Sequence, residues 1–192
     1  MQILGVIGSS TFPGIPNSDF FSIATVTATD SSSSTLTISN IPTGYKHLHL
    51  RYMVNNSNGA ADADIRLRFN SDSGNNYSWK NTYSTAVTPH TTSYGDSQTG
   101  VNAMPIARAT ANAQGTLFGY GVAEISDYSS TSKAKSVSAA FGNTRGVSAT
   151  SNQYVFSGGG VWTSTSAITS ISFINLTTNF GVNSKVAIYG LK

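Results

Sequence analysis

Two histidines one residue apart, His47 and His49, are the first pattern in the sequence that could carry chemistry. They lie in the segment YKHLHLRYMV, whose alternating apolar residues predict a β-strand. Residues two apart on a strand project from the same face of the sheet. Two imidazoles on one face can bind a divalent metal, and a bound metal can activate water for hydrolysis. The pair therefore raises the question of a catalytic metal site.

The residues around the pair argue against a metal. The HxH strand of cupin-type proteins also needs a Glu a few residues later and a third His downstream. Here the only Glu of the chain is Glu124, and Arg51 shares the predicted face with a permanent positive charge that opposes a cation. A third ligand would have to come from His90 or Asp64. We therefore predict no metal and no cofactor, and interpret the pair as the polar face of a strand, exposed or packed on a partner.

The segment NSDSGNNYS, residues 70–78, is rich in oxygen donors. Asn70, Asp72, Asn75 and Asn76 are of the type that binds calcium, but their spacing is not that of an EF-hand loop. Asp and Asn next to Gly between two strands also form turns for conformational reasons alone. We predict a hairpin turn here and keep a calcium site as the alternative.

Hydrolytic enzymes need a nucleophile beside a base, or two carboxylates in different environments. The sequence has no G-x-S-x-G motif, and the glycines of SGGGVW, residues 157–162, are not followed by the Lys-Ser/Thr of a phosphate-binding loop. That segment predicts a strand with a flexible or bulged part. Asp62 and Asp64 could share a strand face beside Arg66 and Arg68, which indicates charge pairing. We predict that the protein is not an enzyme.

The composition indicates a polar surface with few charged residues. Charged residues are 10% of the chain, against about 25% in ordinary globular domains, and Ser, Thr and Asn make up 69 of the 192 residues. No cysteine is present, and the net charge of +3 comes from Lys and Arg residues that are scattered along the chain. We therefore expect no nucleic-acid partner. No apolar run reaches 18 residues, so we also expect no membrane insertion.

Alternating segments separated by Gly, Asn, Ser and Pro predict roughly nine strands and almost no helix. The predicted fold class is all-β: an antiparallel β-sandwich of the jelly-roll type over residues 21–192, with an extended N-terminal arm over residues 1–20. Residues 84–113 are predicted to be a long irregular connection. Gly119 and Gly121 share one face of a predicted strand, where the missing side chains allow close approach by another layer.

The predicted arm is apolar, and its prolines and glycines disfavour regular structure. We expect it to dock on a neighbouring protein. The residues predicted to make that contact are Ile3, Leu4, Val6, Ile7, Phe12, Pro13, Ile15 and Pro16.

Five stretches of the sequence resemble, in this order, a family of tailed-bacteriophage virion structural proteins common in phages of cyanobacteria and other aquatic bacteria. They are IPTGYKHLHLR (41–51), LRFNSDSGNNYS (67–78), EISDYSSTSKAKSV (124–137), GGVWTSTSAITSISF (159–173) and NFGVNSKVAIYGLK (179–192). The start ILGVIGSS is also similar to the opening of that family. Gln is what the family leads us to expect at position 49, so His49 is a departure. The resemblance implies no catalytic residue.

The resemblance implies a virion component that is synthesised in the host cytoplasm. We expect a homo-oligomer, with a trimer as the form suggested by analogy, that joins other virion proteins as a tail fibre or appendage. The alternatives are a capsid decoration protein and a carbohydrate-binding module. A tail fibre would contact the host surface through loops such as residues 84–113, and a host-surface glycan is its candidate partner. The candidate surface-binding residues are Trp79, Tyr83, His90, Tyr94 and Trp162, although Trp162 also fits a core or subunit-contact position.

Overall fold

The computed structural model describes residues 19–57, 63–86, 92–109, 116–144 and 153–192. Over these residues the chain forms strands, turns and loops, and no helix is long and apolar enough to cross a membrane. The twelve strands are β1 (Phe20–Thr27), β2 (Thr35–Ile38), β3 (His47–Val54), β4 (Ala63–Phe69), β5 (Tyr77–Ala86), β6 (Thr92–Val101), β7 (Met104–Ala109), β8 (Gly119–Ser126), β9 (Lys135–Thr144), β10 (Gln153–Trp162), β11 (Ile171–Asn175) and β12 (Lys185–Leu191).

The strands form two antiparallel sheets. The larger sheet has the order β1-β12-β3-β8-β9-β10-β5-β6, and the smaller has the order β2-β11-β4-β7. Buried residues of both sheets belong to one hydrophobic core. The predicted all-β antiparallel sandwich is therefore confirmed, while the predicted arm lies outside the described residues up to position 18.

Eight of the strands pair in a nested way. β1 pairs with β12, β2 with β11, β3 with β8 and β4 with β7, so the first half of the chain folds back on the second. The pairs alternate between the two sheets, which gives the strand order of a jelly roll.

Two inserted hairpins lengthen one sheet. β5 and β6 come between β4 and β7, and β9 and β10 come between β8 and β11; all four continue the larger sheet beyond β8. The prediction of an irregular segment over 84–113 is wrong in its described part, which contains the end of β5, all of β6 and all of β7. The polar sequence of β6 gives no alternating pattern, and its backbone pairing with β5 supplies the order instead.

The prediction of a bulge in SGGGVW is also wrong, because β10 pairs with β5 and β9 without a break in register. The glycines are needed for close packing. A Cβ on Gly159 would lie 2.7 Å from the carbonyl oxygen of Val137, and one on Gly160 would lie 2.7 Å from that of Ser78.

The core follows the predicted alternation of β3 and β4. Leu48, Leu50 and Tyr52 of β3 are buried, as are Ile65 and Leu67 of β4. Most residues between them are partly or fully exposed, and His49 is the exception because Phe20 packs against its ring. The periodicity of two therefore decides which side chains exclude water.

Tyr52 links the two sheets. Its ring stacks on Phe141 of the larger sheet and tilts against Phe173 of the smaller, with centroid distances of 6.0 and 5.9 Å. Its hydroxyl donates to the carbonyl oxygen of Ile106 on β7 at 2.9 Å. A Cβ on Gly121 would lie 2.3 Å from the Tyr52 ring, so the close approach predicted at this glycine is made by an aromatic side chain.

Replacing Tyr52 with Phe should destabilise the fold while keeping the ring packing. Burial raises the pKa of Tyr52, so the hydroxyl stays protonated and able to donate. Its loss leaves the buried Ile106 carbonyl without this donor, and we expect the free energy of unfolding to fall by about 1–3 kcal/mol. Urea unfolding measures the change. Tyr189→Phe, on the outer face of the same sheet, is the control and should change little; equal effects would contradict the assigned role.

Candidate functional site

His47 and His49 each bond to the protein itself. The Nδ1 atom of His47 accepts a hydrogen bond from the backbone N–H of Asp127 at 3.2 Å. The Nε2 atom of His49 accepts from Nε of Arg51 at 3.3 Å, and its Nδ1 atom lies 3.4 Å from a carboxylate oxygen of Glu124. Among the described residues, no cluster of three His, Asp or Glu side chains could hold a metal. His49 is also largely buried, with its ring edge-on to Phe20.

The segment 70–76 connects the two sheets. It leads from β4 in the smaller sheet to β5 in the larger, so the prediction of a hairpin turn is wrong. Asn70 and Ser71 have positive φ angles, and the carboxylate of Asp72 accepts bonds from the backbone of Gly74 and the amide of Asn76, both at 2.9 Å. This carboxylate therefore has bonding partners within its own turn.

Trp162 anchors that turn to the core. Its indole stacks on Tyr77 and tilts against Phe69, only 2% of the residue is exposed, and its Nε1 atom donates to Asp72 at 2.7 Å. A core or subunit-contact position was the preferred prediction for Trp162, and surface binding was the alternative. The structure places it in the core, where it offers no surface to a ligand.

Trp79 and Tyr83, two other candidate binding residues, line a groove. The groove lies where β4 and β7 of the smaller sheet meet the inserted strands β5, β6 and β10. It encloses about 70 Å³. His90 lies outside the described residues, and the backbone of Tyr94 on β6 pairs with Tyr83.

Polar side chains that lack a hydrogen-bond partner gather in this groove. Trp79 and Asn81 lie two apart on β5 and share a face, and each is only 7% exposed. Within the described part of the chain, the Nε1 atom of Trp79, the Oδ1 atom of Asn81 and the Nε atoms of Arg66 and Arg108 are buried without a hydrogen-bond partner. Buried polar atoms are nearly always hydrogen-bonded, so such a group of exceptions indicates a place for a polar ligand or water.

The charges in the groove balance. The carboxylate of Asp64 lies between two guanidinium groups, 3.7 Å from Arg66 and 3.7 Å from Arg108. Asp96, whose carboxylate accepts a hydrogen bond from the backbone of Ser97, also lines the groove. Two cationic and two anionic groups therefore leave the groove with no net charge. Of the predicted charge pairing, the contact of Asp64 with Arg66 is confirmed, and Arg108 is a second partner that the sequence did not reveal. Arg68 instead donates to the carbonyl oxygen of Asn102, and Asp62 lies outside the described residues.

Two glycines of β10 leave room for the side chains that line the groove. Gly158 and Gly160 of β10 pair with Asn81 and Trp79 of β5. A Cβ on Gly158 would lie 2.6 Å from the Cβ of Asn81, and one on Gly160 would lie 3.0 Å from that of Trp79. The glycine segment thus lets both side chains sit in their places, which is a role that only the pairing of β10 with β5 reveals.

Sequence reasoning missed several groove residues. Asn81, Tyr154 and Phe156 were not singled out, although each lies on a strand that alternates in character. The available signal was the period of two on β5, which places Asn81 on the face of Trp79. Nothing local signalled that β7, far along the chain, would close the same groove.

Comparison with protein-family models, with curated proteins and with solved structures finds no match to this chain. The groove and the fold therefore provide the structural arguments about function.

Removing the carboxylate of Asp72 should destabilise the protein. Asp72→Ala leaves the buried Nε1 atom of Trp162 without its acceptor, and we expect a loss of about 1–3 kcal/mol in the free energy of unfolding. Fluorescence-detected urea unfolding measures it. The control is Asp30→Ala, whose carboxylate accepts bonds from Ser32 in an exposed turn, and which should leave the unfolding midpoint unchanged.

The contribution of Asp72 should also depend on pH. Partial burial raises its pKa, but the hydrogen bonds from Trp162, Asn76 and Gly74 outweigh burial and hold the pKa below its ordinary value. A lowered folded-state pKa contributes stability above the unfolded-state value, about 4, that is lost as the pH falls through the folded value. The loss in unfolding free energy caused by Asp72→Ala should therefore become smaller at acidic pH. A deficit that stays constant from neutral pH to about pH 2 would contradict this account.

Proposed function

We propose that the chain is a non-enzymatic structural protein of a tailed-phage virion. In this proposal it is a homo-oligomeric tail-fibre or appendage component that is synthesised in the host cytoplasm. It attaches to other virion proteins through residues 1–20 and contacts the host surface. Support comes from the five ordered stretches described above and from the jelly-roll strand order, which suits a part that packs by rigid surfaces.

The observation that carries the proposal is the separation between the N-terminal segment and the groove. β1 is one edge strand of the larger sheet and begins at Phe20, so the proposed arm joins the sandwich at that edge. The groove is lined by β10, β5 and β6 at the opposite end of the sheet. From β1 to β10 there are five strand spacings, or about 24 Å. A sandwich held through its arm can therefore leave the groove open.

The same observation favours an appendage over the second placement, a capsid decoration protein. A decoration protein clamps neighbouring subunits and has no need of a polar groove far from its attachment. A carbohydrate-binding module is the third candidate. The groove is part of the sandwich, so sugar binding would be an activity of the appendage domain itself and needs no separate role for the chain.

Deleting residues 1–18 should separate folding from assembly. β1 begins at Phe20 and its pairing with β12 is untouched by the deletion, so we expect a folded, soluble oligomer that no longer joins the particle. Incorporation is measured by mass spectrometry of purified virions, and folding by the thermal midpoint. A matched control replaces the same residues with a Gly/Ser segment of equal length. Normal incorporation of either variant would contradict the role of the arm.

The outer face of the larger sheet offers a surface for self-association. Met53, Tyr120, Gly142 and Val155 form one row of cross-strand neighbours over β3, β8, β9 and β10. Val155 is 65% exposed and Tyr120 is 54% exposed, and Gly142 between them leaves a shallow apolar depression. Single exposed apolar residues are common, but a continuous row is typical of a contact surface.

Replacing Val155 with Lys should weaken the oligomer without unfolding the protein. A lysine in a buried contact carries an unpaired charge, and we expect the dissociation constant to rise at least about tenfold. Analytical ultracentrifugation measures it. Leu176→Lys, an exposed apolar residue in the loop after β11, is the control and should leave the oligomer unchanged. If Val155→Lys left the oligomer intact, this face would not be the contact.

A further inference from the structure

We propose that the groove lined by Trp79, Asn81, Tyr83, Asp64, Arg66 and Arg108 binds one neutral sugar residue, such as the terminal unit of a surface glycan. The site is defined on the sandwich alone. Only the biological source of the sugar rests on the proposed host contact.

The hydrogen-bonding groups of the groove match sugar hydroxyls. Trp79 offers an indole N–H, Asn81 offers an amide oxygen, and the two arginines offer Nε–H donors, all without partners in the described structure. A hydroxyl group both donates and accepts, so neighbouring hydroxyls on one ring can satisfy donors and an acceptor together. A purely anionic ligand would leave the Asn81 oxygen without a donor.

The charge balance selects against anions. Asp64 already occupies the space between Arg66 and Arg108, and Asp96 adds a second carboxylate. In sites that bind phosphate or carboxylate, the guanidinium groups of the arginines are free to donate two parallel hydrogen bonds to the ligand. Here the arginines are held by a carboxylate, which fixes their positions and leaves a neutral, polar site.

The shape of the groove limits the ligand to a small group. Tyr83 is half-buried and presents part of its side chain at the groove, where the C–H face of a sugar can pack. The Tyr154 ring is covered by Arg108, whose guanidinium carbon lies 5.3 Å from the ring centre. A volume of about 70 Å³ is far below that of a pocket for a whole oligosaccharide. The groove therefore takes one edge of a single residue, and each site should bind weakly, in the millimolar range (about 1 mM).

The two tryptophans of the chain provide a reporter and an internal control. Trp79 lines the groove and its indole N–H has no protein partner, whereas the Trp162 indole N–H bonds to Asp72 in the core. We would titrate the full-length recombinant protein with glucose, galactose, mannose, rhamnose and N-acetylglucosamine up to tens of millimolar, recording ¹⁵N–¹H spectra. At least one of these sugars should move the Trp79 signal and leave the Trp162 signal in place.

Variants separate binding from folding. Trp79→Phe keeps a six-membered aromatic ring and removes the indole N–H, which has no protein partner. Because Trp79 belongs to the core, the smaller side chain should lower the thermal midpoint modestly while the protein stays folded, and binding should weaken about tenfold. For this variant binding is read from saturation-transfer signals of the sugar. Asn81→Ala should weaken binding by a similar factor, and Asn179→Ala, on the exposed loop before β12, should not.

Three results would overturn the proposal. One is that no neutral sugar moves the Trp79 signal, which would leave the groove as a site for water only. Another is that Trp79→Phe and Asn81→Ala bind as the wild type does. The last is that glucuronic acid or glucose 6-phosphate binds while the neutral sugars do not. None of these results bears on particle assembly, so failure here is distinct from failure of the proposed virion role.

Discussion

The hydrogen bond from the Tyr52 hydroxyl to the Ile106 carbonyl is the contact on which the rest of the architecture depends. It ties β3 in the middle of the larger sheet to β7, the edge strand of the smaller sheet. Ala107 and Arg108 follow directly on β7 and form a wall of the groove. Together with the pairing of β7 with β4, this interaction holds that wall in place, and Gly121 permits it by leaving room for the ring.

The groove exists because the jelly roll has been lengthened on one side only. The two inserted hairpins carry the larger sheet past the last strand of the smaller one, so β5, β6 and β10 face the edge of β7. Apolar side chains such as Phe156 continue the core up to that edge. Beyond it, Asn81, Arg66 and Arg108 hold buried polar atoms without partners in the described structure. Unpartnered buried polar atoms destabilise a fold, and proteins retain such unfavourable features mainly at functional sites.

Much of the sandwich could be predicted from the sequence, because the buried faces of β4 and β8 follow a period of two and β3 departs from it only at the buried His49. β6 could not be predicted, since its Thr, Ser and Gly residues carry no hydrophobic signal and its order comes from pairing with β5. The glycine run of β10 was predicted as a strand, but its unbroken register follows only from pairing with its neighbours. The groove was out of reach for a similar reason. It joins Asp64, Trp79 and Arg108 from three strands, and only the tertiary pairing brings them together.

The proposed virion role makes one central claim, an orientation in which the β1 edge would face the particle and the groove would face outward. A cryo-EM map of the intact virion, with this chain traced into it, tests that claim most directly. The account predicts density for this sandwich on the tail, with Phe20 towards the neighbouring virion protein and Trp79 and Arg108 beside open solvent. Density on the head shell, or a groove covered by another virion protein while β1 points outward, would contradict it.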